Sequence, residues 1–128
     1  MIDNQALDLV SLISDNIYMS TVNVIIYTTS TGKQPFVDWQ RGLDPRVKAV
    51  VIARIARVKV GNLGDCKIIK GGGGVWELRI SYGAGYRIYF GKTGTTIVVL
   101  LAGGDKGSQV RDIAKVKRYW LTFKESHE

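Results

Sequence analysis

Four short runs of β-forming residues, separated by connectors that contain glycine, most strongly constrain the fold of this chain. The runs span residues 66–70, 75–81, 86–90 and 96–102, and the connectors between them hold only four or five residues. Connectors this short join antiparallel neighbours, because a parallel crossover needs a dozen residues or more. The pattern therefore predicts an antiparallel meander of four strands.

The segments on either side of the meander predict helices and one further strand. Residues 21–29 are rich in β-branched side chains and predict a strand, and a short helix is expected to begin at Pro35. Asp44 precedes a proline and is typical of a helix start, because its carboxylate accepts hydrogen bonds from free backbone N–H groups. Gly61 is suited to ending that helix, and Ser108 is expected to cap a final helix.

These elements predict an α+β fold, a small and largely antiparallel twisted sheet with two N-terminal helices packed on one face and a C-terminal helix. Residues 103–107 are expected to form a sharp loop before the final helix. The apolar stripe predicted after Asp44 comprises Val47, Val50, Val51, Ile55 and Val58, and the inner face predicted for the final helix comprises Val110, Ile113, Ala114, Trp120 and Leu121. The basic side chains expected to flank the first stripe in solvent are Arg46, Lys48, Arg54, Arg57 and Lys59.

Charge distinguishes the start of the chain from the rest. Residues 1–32 carry three Asp and no Lys or Arg, whereas residues 33–128 carry 18 basic and eight acidic side chains. We expect residues 1–18 to be a helical, dispensable extension, residues 19–125 to form the domain and residues 126–128 to be a tail. Either translation starts at Met19, or the extension is a short helix packed on the domain; in the first case a chain beginning at Met19 folds and keeps its activity.

Composition also narrows the function classes. The basic excess after residue 32 predicts a polyanion or an acidic protein as partner. One cysteine, Cys66, excludes an internal disulfide and is typical of a cytoplasmic protein. The apolar runs are too short to span a membrane. With one His and one Cys, no structural zinc site is expected. The acidic side chains show no ligand spacing for Mg²⁺, so no metal or other cofactor is expected.

Two arginines on neighbouring strands form the candidate phosphate-binding site. Arg79 lies in the second run of the meander and Arg87 in the third. If both project from one face, their planar guanidinium groups suit bidentate binding of phosphate, and Lys106, after the last run, is expected to close the site at its rim. An intramolecular ion pair, for instance with Glu77 or Asp112, is the alternative for both arginines.

Tyrosines near these cations are candidates for stacking on the bases of single-stranded RNA. Tyr82 lies in the connector between the two strands, and Tyr89 lies in the third run. A core position is the alternative for Tyr89 and the expectation for Tyr86, which alternates with the arginines. Arg111, in the final helix, is the remaining candidate for RNA binding.

Six short motifs occur in a fixed order between about residues 22 and 124. They are Ile26-Tyr27-Thr28-Thr29, Pro35-Phe36-x-x-Trp39, Gly61-Asn62-Leu63-Gly64-Asp65, Glu77-Leu78-Arg79-Ile80, Tyr82-Gly83-x-Gly85-Tyr86-Arg87-Ile88-Tyr89-Phe90 and Leu101-x-Gly103-Gly104-Asp105-Lys106-x-x-Gln109-x-Arg111-Asp112-Ile113. In this combination the chain resembles the HigB-like addiction-module killer proteins of the RelE/ParE toxin superfamily. The resemblance implies a RelE-like fold and a bacterial or phage type II toxin, neutralised by an antitoxin from a neighbouring gene that is typically a helix-turn-helix protein.

The resemblance also implies a site. RelE-type members cut mRNA on the ribosome and place basic catalytic residues at the positions of Arg79, Arg87 and Lys106. We assign Arg87 to stabilising the charge on a phosphorane, with Arg79 and Lys106 holding the phosphate or assisting proton transfer. The chain lacks the C-terminal Tyr or His that acts in several of these nucleases, and Arg111 and Asp112 are the nearest candidates for that role.

The sequence therefore favours a ribosome-dependent mRNA endonuclease that uses metal-independent attack by a ribose 2′-OH. Two alternatives remain, namely a ParE-like DNA gyrase inhibitor without catalysis and an inactive prophage toxin that only binds its antitoxin. Because the chain is basic after residue 32, the antitoxin is expected to be acidic and to cover the surface near Arg79 and Arg87.

Overall fold

The structure, a computed structural model, describes residues 21–127, so the expected extension over residues 1–18 lies outside the described residues. In chain order its elements are β1 (Asn23–Ile26), α1 (Pro35–Arg41), α2 (Pro45–Lys59), β2 (Cys66–Ile68), β3 (Trp76–Ile80), β4 (Tyr86–Thr93), β5 (Ile97–Asp105), a 3-10 turn (Lys106–Ser108) and α3 (Gln109–Ser126). The α+β class predicted from the sequence is confirmed.

The five strands form one mixed sheet in the order β1-β5-β4-β3-β2. Strands β2 to β5 are the predicted antiparallel meander, and each pairs with its neighbour in sequence. Strand β1 adds to the far edge by pairing in parallel with β5, with Asn23 opposite Ile97. The sheet is therefore largely antiparallel, as expected.

Helices cover both faces of this sheet. On the α1/α2 face, those two helices pack over a cluster that includes Leu78, Ile88 and Leu100. On the α3 face, the final helix packs over the opposite side of the same strands, against residues such as Tyr89 and Val99. The sheet is buried on both faces because its strands carry apolar side chains on both sides of the pleat.

Helix α2 begins and ends as the sequence predicts. The carboxylate of Asp44 accepts a hydrogen bond from the backbone N–H of Arg46, and Gly61 follows the helix with a φ of 89°. The predicted stripe is confirmed, with Val47, Val51 and Val58 buried and Val50 and Ile55 packed against them. One expectation is wrong: Arg54, assigned to the solvated flank, is only 8% exposed.

Glycines at the end of β5 have a different purpose from the one predicted. Gly103 and Gly104 do not form a sharp loop, since β5 continues through them to Asp105 and neither has a positive φ. A Cβ on Gly103 would overlap the indole of Trp39 in α1, and one on Gly104 would overlap the carboxylate of Asp112 in α3. Glycine is needed here so that helices on both faces approach the strand closely.

The predictions for α3 need two corrections. Its inner face carries Ile113, Val116 and Trp120, whereas three residues predicted on that face are exposed, namely Ala114, Val110 (87%) and Leu121 (54%). Ser108 stands at the N-cap, yet its side chain makes no capping bond to α3. Instead its hydroxyl accepts from the backbone N–H of Asp105, as part of a capping box that closes the preceding 3-10 turn. The same hydroxyl donates to the carboxylate of Asp112.

Candidate functional site

A cleft of about 680 Å³ opens where the β3–β4 hairpin meets the 3-10 turn. The structure brings four of the predicted site residues together on its walls, namely Arg79, Arg87, Lys106 and Tyr82. Asp65, in the loop before β2, lines the cleft as well. The cleft therefore combines three cations, one carboxylate and two tyrosines, Tyr82 and Tyr86.

The register of the hairpin places the two arginines side by side. Arg79 pairs directly with Arg87 across the strands, so both side chains project from the α3 face of the sheet, as the phosphate-clamp hypothesis requires. Like charges directly opposite each other are unfavourable. Each guanidinium has a carboxylate of its own, Asp65 for Arg79 and Glu77 for Arg87, so the ion-pair alternative is also realised.

The outer ion pair leaves room for a ligand. Arg79 donates from both Nε (3.3 Å) and Nη2 (3.0 Å) to the same oxygen, Oδ1 of Asp65. The side chains of Arg79 and Asp65 are 38% and 55% exposed, and no described group bonds Oδ2 of Asp65. A phosphate entering the cleft can therefore reach the free guanidinium edge of Arg79, and a hydroxyl can reach Oδ2 of Asp65.

The inner ion pair forms the floor of the cleft. Arg87 Nη1 lies 3.2 Å from Oε1 of Glu77, and the two side chains are only 15% and 2% exposed. Gln109, the first residue of α3, donates to Oε2 of Glu77 at 2.7 Å. The buried Nε of Arg87 has no hydrogen-bond partner among the described residues. Arg87 is thus held within the protein, and its charge acts on the cleft from below.

The rim is formed by a tight turn and the start of the 3-10 turn. Gly83 and Gly85 have φ values of 56° and 85°, a region that glycine adopts without strain, and they let the chain reverse between β3 and β4. The turn presents Tyr82, which is 40% exposed. The backbone N–H of Lys106 donates to the carbonyl of Gly85 at 3.1 Å, which fixes the exposed Lys106 at the predicted rim position.

Two residues predicted to bind RNA lie elsewhere. Tyr89 is fully buried on the α3 face, so its ring offers no surface to a base, and its predicted stacking role is wrong. Burial, and secondarily the nearby Glu77 carboxylate, raise the pKa of its phenol far above the usual value. Arg111 is exposed on α3 and does not line the cleft, whereas Tyr86 packs against the core of the α1/α2 face, as expected.

Sequence reasoning missed Arg54, which reaches from α2 to the backbone of two cleft residues, Asp65 and Arg79. Its guanidinium donates to the carbonyl of Leu63 at 2.8 Å and to those of Asp65 and Arg79 at 3.4 Å. Burial, and secondarily the nearby Arg57, lower the pKa of Arg54. The sequence signal was Gly64 in the Gly61-Asn62-Leu63-Gly64-Asp65 motif, since a Cβ at this position would overlap the guanidinium of Arg54.

The described part of the chain offers limited scope for metals. Among residues 21–127, no three side chains of the His, Cys, Asp and Glu types gather as a metal-ligand set. Asp65, the carboxylate that lines the cleft, and the buried Glu77 are each engaged by an arginine. Separately, none of the helices in residues 21–127 is long and apolar enough to cross a membrane.

Fold and site together define a class of small α+β protein in which a cation-lined cleft opens at the end of a β-hairpin. The family described as "Phage derived protein Gp49-like (DUF891)" matches residues 38–118, which include every residue at the cleft, and the chain belongs to this RelE-like family associated with toxin–antitoxin systems. The chain is also 46% identical over 72 residues to an uncharacterized protein of Haemophilus influenzae; the match covers 56% of this chain and 71% of that protein.

Proposed function

We propose that this protein is the toxin of a type II toxin–antitoxin module, of the HigB-like kind, and acts as a ribosome-dependent mRNA endonuclease. The observation that carries the proposal is the convergence of Arg79, Arg87 and Lys106 on one cleft with Tyr82 at its rim. Such a set can hold an RNA phosphate and stack on an adjacent base. Membership of a family associated with toxin–antitoxin systems supports it.

The proposed reaction is attack of a ribose 2′-OH on the adjacent phosphorus. The new O–P bond yields a cyclic phosphate, and the bond to the 5′ oxygen breaks. The proton of the 2′-OH passes to Oδ2 of Asp65, and the ammonium group of Lys106 protonates the departing 5′ oxygen. Arg79 binds the phosphate and stabilises the extra negative charge of the phosphorane.

Burial changes the role proposed for Arg87. Because its side chain is 15% exposed and paired with Glu77, Arg87 supports the site from its floor, and the direct phosphate contacts pass to Arg79 and Lys106. This division agrees with exposure, since the side chain of Arg79 is 38% exposed and Lys106 is exposed.

The partners proposed for this function are mRNA on the ribosome and a cognate antitoxin, a helix-turn-helix protein encoded next to the toxin. The charge excess after residue 32 supports an antitoxin with an acidic segment that covers the cleft. The association rate of the two proteins should then fall as salt is raised from low to physiological concentration.

A translation reaction followed by primer extension tests the proposal. The wild-type protein should produce discrete cuts in phase with codons. Arg79→Ala and Lys106→Ala should each lower the cutting rate by roughly 10²-fold, whereas Lys117→Ala, which removes an exposed lysine of α3, should leave it unchanged. Absence of cuts together with DNA breaks in a gyrase assay would establish the ParE-like alternative, and absence of both would indicate a protein that only binds its antitoxin.

Asp65→Asn separates binding from proton transfer. The amide keeps the shape of the carboxylate but is not a base, so cutting should slow by roughly 10²-fold or more. Because Arg79 then loses its anionic partner, the affinity for single-stranded RNA should stay equal or rise. Weaker RNA binding by Asp65→Asn would show that the carboxylate only holds Arg79 in place.

A further inference from the structure

Arg54 is a buried cation without a counterion of its own. It is 8% exposed, and within residues 21–127 its hydrogen bonds go to three neutral backbone carbonyls and its guanidinium forms no salt bridge. Burying a charge is costly, and an apolar side chain is often as stable at such a place. A buried arginine bound only to carbonyls therefore calls for an explanation other than stability.

The carbonyls that Arg54 binds connect it to the outer ion pair of the cleft. Two of the three belong to Asp65 and Arg79, the residues of the outer ion pair. The backbone N–H of Arg79 also donates to the carbonyl of Asp65 at 2.8 Å. From the α2 side of the sheet, Arg54 therefore bonds both backbone segments whose side chains meet at the mouth of the cleft.

The loop is shaped to lie on this guanidinium. Gly64 has a φ of 65°, and a Cβ at this position would stand 2.7 Å from Nη1 of Arg54 and 2.8 Å from its Cζ. A side chain at residue 64 would thus displace the guanidinium or lift the loop. Glycine at this point permits the carbonyls of Leu63 and Asp65 to reach opposite arms of the same planar group.

We propose that Arg54 is a positioning residue, which fixes Asp65 and Arg79 in the orientation that receives the RNA phosphate. The inference rests on the proposed nuclease function and adds to it a residue that touches no substrate. Arginine is required because its planar fork reaches three carbonyls at once, whereas a lysine ammonium is a single point donor.

The first test is a rate measurement with a double-mutant cycle. Arg54→Lys keeps the charge but loses the fork, so kcat for cutting on programmed ribosomes should fall roughly 10- to 100-fold with KM little changed. In the Arg79→Ala background the same substitution should slow cutting clearly less than in the wild type, because one of the two groups that it positions is gone and only Asp65 remains. Equal losses in both backgrounds would overturn the proposal and leave Arg54 with a purely structural role.

The second test does not depend on activity. The Nε–H of Arg79 bonds Asp65, so its NMR signal should be protected from solvent exchange in the wild-type protein and lose this protection in Arg54→Lys. Arg57→Lys, which changes an exposed arginine of the same helix, is the matched control and should alter neither protection nor kcat. If the wild-type protein cuts no RNA, the nuclease function fails while this signal still decides the role of Arg54; an unchanged Arg79 signal in Arg54→Lys overturns it.

Discussion

The two faces of the sheet are built in different ways. On the α1/α2 face, the buried side chains of the central strands are apolar, as at Leu78 and Ile88. On the α3 face, the same strands bury the carboxylate of Glu77, the largely covered guanidinium of Arg87 and the phenol of Tyr89. Glu77 and Leu78 are consecutive in β3 and point to opposite faces, so a polar floor and an apolar core lie on the two sides of the same strand.

This difference suits the two faces to different tasks, with the α1/α2 face contributing mainly stability and the α3 face supporting the site. Apolar packing on the α1/α2 face supplies free energy of folding without directional demands. Among the buried polar groups on the α3 face, Arg87 lines the cleft, and Arg87 and Glu77 depend on specific partners. We infer that the α1/α2 face mainly holds the sheet together, while the α3 face gives up some stability to place charge under the site.

Removing Arg87 should have the largest effect of any change on the α3 face. Arg87→Ala leaves the buried Glu77 carboxylate without its cation. This should lower the free energy of unfolding by about 3–5 kcal/mol, measured by urea denaturation. Adding Glu77→Gln should recover much of that loss. Leu78→Ala, on the other face, should cost about 2–5 kcal/mol and gain nothing from Glu77→Gln. An Arg87→Ala protein as stable as the wild type would contradict a polar floor.

Two glycines allow the faces to be compared at the level of packing. A Cβ on Gly91 would overlap the ring of Trp120 in α3, and one on Gly103 would overlap that of Trp39 in α1. Gly91→Ala and Gly103→Ala should each destabilise the protein by about 1–3 kcal/mol, measured by thermal unfolding. Trp120→Leu should relieve Gly91→Ala but not Gly103→Ala, and the same rescue in both would mean that the faces are mechanically coupled.

The smallest expected effect has the opposite sign. The buried hydroxyl of Tyr89 has no hydrogen-bond partner among the described residues, so Tyr89→Phe should raise the free energy of unfolding by about 1 kcal/mol. Since burial raises the pKa of Tyr89, the unfolded chain ionises first, and the wild type should lose stability as pH rises above about 10. The mutant should lack this part of the loss. The control Tyr82→Phe, at an exposed ring, should leave the free energy of unfolding at neutral pH unchanged.

Much of the fold follows from local sequence rules. Short glycine-containing connectors fixed the meander, and Asp44 and Gly61 marked the limits of α2 through capping chemistry that acts within a few residues. The parallel pairing of β1 with β5 was not predicted, because it depends on contacts between distant segments. The exposure of Val110 and Leu121 likewise depends on which side of α3 meets the sheet.

The sequence predicted which cations meet at the candidate site, but not which of the nearby side chains are buried. Alternation along two strands was enough to bring Arg79 and Arg87 together, and the position of Lys106 followed from the end of β5. The same alternation is silent about which residues a helix covers, so Tyr89 was expected at a surface that α3 occupies. Arg54 was assigned to solvent because it flanks the apolar stripe of α2, and local spacing does not reveal that its long side chain crosses to carbonyls of other elements.

The parallel pairing of β1 with β5 also has a consequence for folding during synthesis. Asn23 must wait for Ile97 to be made before its strand can be paired, so a large loop has to close late. The hairpins of the meander join neighbours in sequence and can form earlier. Until β5 leaves the ribosome, the apolar segment Val24-Ile25-Ile26 has no place in a sheet. We therefore expect β1 to join the sheet only once β5 has been made, and a nascent chain paused before residue 97 to expose a segment prone to aggregate.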